Sequence, residues 1–284
     1  MGLLLQNNTK YQTNEINQMK RQIQFQSTPA AAPSPIAPAK SAGPKYQDST
    51  YAEGYKNLEV RFDQKIKWLR ALPSIAGSEY PWMFEFARYK EASGAHATFV
   101  DPATFKEPSI FFKASAWLRK NEPECIASRD TNPNGFKLWP QKRGLAWVID
   151  EAAEEGKRLR LLNVSLYDGS RGGSTGWGHD LVTEANAVDN EPGSPTQGQS
   201  IYGDITSNET GRQFCVTKIG TGATASYKVT IGKTATPLNL DMLTDEEMEL
   251  ICPLEKTLHV PSEEEQKAYL RAYIGEERFA KIFA

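Results

Sequence analysis

The chain has 284 residues, 39% of them hydrophobic and 24% charged, with 33 Lys and Arg against 35 Asp and Glu. That length suits one large domain or two small ones, and the composition is that of an ordinary globular protein. Three widely spaced cysteines, Cys125, Cys215 and Cys252, with no CxxC, argue against a disulfide framework and against a zinc ribbon, and fit reduced thiols in a cytoplasm.

Charge is distributed unevenly. Lys and Arg against Asp and Glu count six to four over residues 1–60, eighteen to fifteen over 61–180, four to five over 181–240, and five to eleven over 241–284. The body is mildly basic and the C-terminal segment acidic, so the uniform positive charge that most simply marks a nucleic-acid binder is missing. The opening MGLLLQNN is too short for a signal-peptide core or a spanning helix, so no membrane is expected. Gln6 stands where myristoylation needs Ser or Thr.

Residues 1–45 read as a flexible arm, rich in Gln and Asn, followed by a Pro/Ala linker at Pro29–Pro44 that cannot bury a core. The folded body is expected over 46–240. Within it, Asn57–Leu72, Trp82–Tyr89, Gly144–Asp150 and Leu159–Tyr167 read as strands. Ser109–Lys120 has helical spacing with Ser109 as N-cap, and Asp180–Val188 reads as a short helix capped by Asp180. Arg212–Ile219 and Ser226–Ile231 form a hairpin around a Gly-rich turn at Gly220–Thr224. In the acidic helical segment 241–284, Thr244 with Glu247 and Ser262 with Glu265 have capping-box spacing, and Leu270, Tyr273 and Ile274 share a helix face. Strands dominate, helices are few and no βαβ alternation appears. The expected class is mainly β with helical insertions, built on an antiparallel barrel.

Two motifs resolve into turns and loops. Gly172–Gly176 (GGSTG) fits the GxSxG nucleophile elbow at Ser174, with His259 downstream, but the alternating β/α fold that elbow requires is missing. A flexible loop at a cleft edge is the better reading, with Arg171 and Trp177 positioned on it to touch a ligand. Gly220–Ala225 matches a dinucleotide fingerprint, but a strand follows where a helix is needed. GxxxxGK[ST] is not found, so ATP use is not expected, and neither is any catalysis or cofactor.

The hairpin gives the strongest functional signal. Phe214, Lys218, Tyr227 and Lys228 combine rings that can stack on bases with cations that can meet phosphates, the equipment of a surface holding single strands without reading sequence. Any one strand aromatic is nonetheless more often core than platform, because strand faces alternate and half point inward. Edge lysines also serve simply to deter strand pairing.

Four blocks, in order, carry a resemblance. They are WLRALPS (Trp68–Ser74), PWMFEFARY (Pro81–Tyr89), QKRGLAWVID (Gln141–Asp150) and the segment Asp204–Val229 ending in GRQFCVTKIGTGATASYKV. Over roughly residues 60–240 the chain resembles the phage single-stranded DNA-binding proteins of the T4 helix-destabilising type. The resemblance implies an OB-fold, an antiparallel Greek-key barrel, binding single-stranded DNA in a basic, aromatic-lined cleft. It implies Arg70 near phosphate, Lys142 and Arg143 as a basic rim, and Phe214, Lys218 and Tyr227 along the hairpin side. Residue type and strand placement add Trp82, Phe86, Arg88, Tyr89 and Trp147.

The family's structural zinc, held by one His and three Cys, has no counterpart: the corresponding region offers only His96 and Cys125. No metal is expected, and packing of the Phe111–Trp117 helix is expected to replace it. The family also implies replication proteins, such as a polymerase, helicase or primase, as partners of the acidic C-terminal segment. It implies self-association along DNA through the N-terminal arm, and a host cytoplasm if the chain is phage-encoded. The expected function is coating of single-stranded DNA in replication, recombination or repair. The alternative is a virion or assembly protein that uses a β-barrel structurally and ignores nucleic acid.

Overall fold

The computed structural model describes residues 47–48, 50–63, 66–76, 78, 80–90, 97–126, 135–167, 176–221 and 225–284. Eight strands, β1 (Gln47–Asp48), β2 (Ile66–Ala71), β3 (Phe84–Lys90), β4 (Ala97–Val100), β5 (Gln141–Ile149), β6 (Leu159–Ser165), β7 (Gln213–Ile219) and β8 (Ser226–Ile231), form one sheet. Among the described residues five α-helices accompany them: α1 (Ile110–Asn121), α2 (Trp177–Ala185), α3 (Asp245–Leu250), α4 (Glu263–Ile274) and α5 (Glu276–Phe283). The class is mainly antiparallel β with a few helices, and only the short β1–β4 pair is parallel among the named strands.

Central β5 organises the sheet. One edge pairs along its length with β6, from Arg143↔Ser165 to Ile149↔Leu159. The other edge is shared end to end by β3, through Phe84↔Leu145, and by β2, through Ala71↔Val148. Strand β2 turns its remaining edge to β7, from Ile66↔Thr217 to Arg70↔Gln213, and β7 pairs with β8. Among the described residues β6 and β8 do not pair, so the sheet stays open there. Helix α2 packs across that opening against both strands. The glycines at its start allow this approach: a Cβ on Gly176 would lie 2.5 Å from the Ser165 carbonyl oxygen, and one on Gly178 would strike the Val164 side chain. That contact explains why α2 starts at Trp177 after Gly176 rather than at Asp180, which falls inside its first turn.

The expected strand Asn57–Leu72 is split. Its first part lies beside β6, with Val60 N donating to Leu161 O at 2.9 Å and Leu161 N to Leu58 O at 2.7 Å. The chain then crosses toward the hairpin, where Phe62 rests on Trp177 and Tyr227, and only from Ile66 does it join β7. Two partners on different edges cannot be served by one straight strand.

Three apolar clusters hold the molecule. Inside the curved sheet lie Leu69, Ala71, Ala146, Val148, Leu162, Val164, Leu181, Phe214, Val216 and Ile231. On the opposite face of β5 and β6, Leu145, Trp147, Ile149, Leu159 and Leu161 are covered by Leu243, Ile251, Cys252, Leu254 and Leu258. The third cluster joins Tyr89 and Phe99 to Phe111, Leu118, Leu270, Ile274, Phe279 and Ile282 of the helices. The acidic segment therefore packs its apolar side into the body. Both capping boxes are formed, Thr244 with Glu247 and Ser262 with Glu265. Ser109 is the N-cap of α1, but its side chain makes no cap bond; Gln266 Oε1 of α4 accepts from Ile110 N at 3.3 Å instead. Phe111 lies 4.8 Å from the Tyr89 ring and 4.7 Å from Phe99, so α1 fastens β3 and β4 by aromatic packing.

Candidate nucleic-acid interface

Five of the expected contact residues are interior, which corrects their assignment. Phe214 is fully buried within the curved sheet, Phe86 and Trp147 face the C-terminal segment side, and Tyr89 belongs to the helix cluster. Trp147 is held there by its indole, which donates to Cys252 O at 2.8 Å. Arg70 is 0% exposed. Its guanidinium donates to four carbonyl oxygens, those of Thr236, Ala71, Ile205 and Ser207, at 3.0, 2.7, 2.8 and 2.5 Å. Burial pulls its pKa below the ordinary arginine value. It staples loops to β2 and offers nothing to phosphate. Half-buried Arg88 continues the Phe84–Phe86 face, and its Nε has no hydrogen-bond partner among the described residues.

Other expected residues gather at one end of the sheet. Lys142 and Arg143 open β5, and Arg143 stands opposite Ser165 at the end of β6. Its Nε and Nη2 donate to Asn163 Oδ1 and O at 2.8 and 2.9 Å, which orients the guanidinium along the strand end. Gly176 packs on Ser165, and the next residue, Trp177, is brought to 5.8 Å from the Tyr227 ring. Phe62 completes the ring group, at 5.3 Å from Trp177 and 5.4 Å from Tyr227. Tyr227 pairs with Lys218 across the hairpin, and Lys218 Nζ donates to Phe62 O at 3.2 Å. Lys228, next along β8, is exposed. Lys142 reaches out to Glu85 at 2.6 Å, with both side chains more than half exposed. Half-buried Trp82 packs onto the inner cluster beside Met83 and lines a small pocket with Ser74, Pro81 and Trp147. Arg171, His96 and Ser174 lie outside the described residues.

Sequence reasoning missed two rings: Phe62, which belongs to this end and falls inside the expected strand Asn57–Leu72, and Trp68, which lies on the other face of β2 and is 47% exposed. Its neighbours Leu69 and Ala71 are buried, and period-2 alternation around them turns Trp68 outward.

Among the described residues, Glu122, Glu124 and Cys125 bring atoms within 4.8 Å of one another, in the manner of a cation site. Arg278 already supplies the positive charge there, its Nε lying 2.6 Å from Glu122 Oε2 and its Nη2 3.5 Å from Cys125 Sγ. That bond holds the Glu122 carboxyl below its usual range. Among the described residues no helix is long and apolar enough to cross a membrane. The chain matches no protein-family model and no curated protein.

Proposed function

We propose that this protein binds single-stranded DNA, largely without sequence preference, across the end of the sheet where the β7–β8 hairpin, the start of α2 and the start of β5 meet. One observation carries the reading: the Trp177, Tyr227 and Phe62 rings form a half-buried group, with Lys218 in the Tyr227 row and Lys142 on the same sheet face at the start of β5, while Arg143 and Lys228 turn to the opposite face. Rings with accessible faces stack on unpaired bases of any identity, while the cations occupy phosphate positions and release counterions. A duplex hides its bases, so such a surface favours the open strand at equilibrium and needs no chemistry.

The strand order supports an OB-fold reading of the core. Strands β6, β5, β2, β7 and β8 are consecutive neighbours, with α2 inserted between β6 and β7 and packed over the gap that a closed barrel would seal. In OB-folds the loop between the last two strands borders the nucleic-acid site. Here that loop is the tip of the hairpin carrying Lys218 and Tyr227. Replication, recombination or repair are the processes that expose such strands, and replication enzymes are the partners that the acidic 241–284 segment, with eleven Asp and Glu against five Lys and Arg, suits.

The test is oligo-dT binding followed by fluorescence anisotropy over a salt series. The affinity should fall by about 0.7 log units per phosphate contact per decade of salt. Tyr227→Ala should weaken binding by about 1–3 kcal/mol, the range measured for lost base stacking. A chain that binds no strand at low salt would be a structural β-module instead.

A further inference from the structure

The curved sheet presents a second surface, the outer face of β2, β7 and β8. Its side chains are set by the register. Ile66 stands opposite Thr217, which stands opposite Lys228, and Trp68 stands opposite Cys215, which stands opposite Thr230. Inward positions Leu69, Phe214, Val216 and Ile231 are buried, so these two rows point outward. On them Trp68 is 47% and Ile66 51% exposed, and Ile219, in the next outward row opposite Ser226, is 52% exposed. A lone exposed apolar residue is ordinary, but three large ones in successive outward rows, a tryptophan among them, mark a contact surface.

Charge decides what that surface fits. The sequences of the three strands, IKWLRA, QFCVTKI and SYKVTI, contain no Asp or Glu. They carry four cations in a chain where carboxylates slightly outnumber cations overall. Of the four, Lys67 is held by Asp150 at 2.6 Å and Arg70 by backbone carbonyls, while Lys228 extends from the exposed face itself. An apolar ring on three strands that carry lysine and no carboxylate suits a polyanion with flat apolar groups.

We infer that this outer face, with Trp68 as its ring, is a second stacking platform that continues the single-stranded DNA path from the Trp177–Tyr227 end around the β7–β8 hairpin. The inference rests on the strand-binding reading above. Its geometry follows from the hairpin. Tyr227, in the Lys218 row, faces inward toward Phe62 and Trp177, whereas Trp68 lies in the Cys215 row on the other face. Three residues of strand separate the rows, roughly 10 Å. A strand wrapped over the hairpin end meets a ring on each side, with Lys228 on the outward turn between them.

The experiment compares the full chain with Trp68→Leu and Tyr227→Ala. It uses oligo-dT binding by anisotropy, thermal melting, and sedimentation to read the oligomeric state. Trp68→Leu keeps an apolar side chain on an exposed site, so its melting midpoint should match that of the parent. The expected result is about tenfold weaker binding for Trp68→Leu at constant salt, with an unchanged salt slope because no cation is lost. If Trp68→Leu binds like the parent while Tyr227→Ala is weakened, the second platform does not exist and the strand-binding reading stands. Should Trp68→Leu instead convert an oligomer to a monomer without altering strand affinity, the face joins copies of the chain and the inference is overturned. Failure of the unsubstituted chain to bind oligo-dT at low salt removes both.

Discussion

The indole N–H of Trp147 donates to the carbonyl oxygen of Cys252 at 2.8 Å, joining the central strand to the C-terminal segment 105 residues further on. Around this bond Leu145, Ile149, Leu159 and Leu161 meet Leu243, Ile251, Leu254 and Leu258. Glu247, itself buried, accepts from Arg158 N and Leu159 N at 2.6 and 2.9 Å and so fastens α3 to the start of β6. Apart from Glu247, the acidic residues of this region lie toward solvent on a segment whose inside is core.

Trp147→Phe removes the donor and leaves a buried carbonyl without a partner, besides shrinking a fully enclosed side chain. Together these should lower stability by about 2–4 kcal/mol, read as a shift in urea midpoint. Removal of residues 238–284 should do far more, exposing one whole face of β5 and β6 to water. The shortened chain should lose its cooperative melting transition, whereas a detachable tail would leave it intact.

Arg70 makes a related prediction for the curved core. Its four carbonyl partners come from Ala71, the 205–207 loop and Thr236, so one guanidinium fixes three separate stretches. Arg70→Ala would leave those acceptors unpaired, with an expected loss of about 3–5 kcal/mol. Arg70→Lys should rescue little, since an ammonium cannot reproduce the planar fork. Gly211→Ala should be harmful for the same reason, because the added Cβ would strike the Arg70 guanidinium. Chemical denaturation measures all three. A mild effect of Arg70→Ala would mean that water replaces the guanidinium in the folded state.

Alkaline pH should unfold the protein through its buried phenols. Burial, reinforced by the Glu59 charge, raises the Tyr51 pKa well above its ordinary value, and burial with Asp101 nearby raises that of Tyr89. Both hydroxyls then stay neutral in the folded chain at a pH where the unfolded chain ionises. The unfolded state has lost protons that the folded state keeps, so stability is full below about pH 10 and falls above it. Each group contributes up to about 1.4 kcal/mol per pH unit between its unfolded and folded values. Denaturation midpoints measured from pH 8 to 12 should show the decline, and Tyr51→Phe should make it shallower.

Sequence pattern reads strand positions well and strand faces poorly. The expected hairpin strand Ser226–Ile231 coincides with β8, and Gly144–Asp150 and Leu159–Tyr167 fall on β5 and β6 with small boundary shifts. In β8 one face is exposed, and the alternation of Ser226, Lys228 and Thr230 with Tyr227, Val229 and Ile231 reveals it. In β5 every residue from Gly144 to Ile149 is buried, because the curved sheet covers one side and the C-terminal segment the other. No local pattern distinguishes the two sides of such a strand. Trp147 looked like a binding ring for that reason, and its true cover lies a hundred residues away in sequence. Arg70 misled similarly, since its acceptors are loop carbonyls that carry no side-chain signature. Lys218 and Tyr227 were legible as residues of one hairpin because its two strands are local in sequence, while Trp177 and Phe62 join them only through the long-range placement of α2 and of the chain before β2.

The rim also contains a competitor for phosphate. Lys142 Nζ lies 2.6 Å from Glu85 Oε2 on the neighbouring strand, and both side chains are largely in water. Exposed pairs of this kind contribute little to stability, so Glu85→Gln should leave the melting midpoint where it is. Its effect should fall on binding. With the carboxylate gone, Lys142 meets phosphate without first giving up a partner, and like-charge repulsion between Glu85 and the strand disappears. Affinity for oligo-dT should therefore rise several-fold at low salt, and the salt dependence should steepen toward one additional contact, about 0.7 log units per decade. Lys142→Ala should do the reverse. If neither substitution changes the salt slope, the strand does not pass the β5 edge, and the interface is confined to the hairpin and α2.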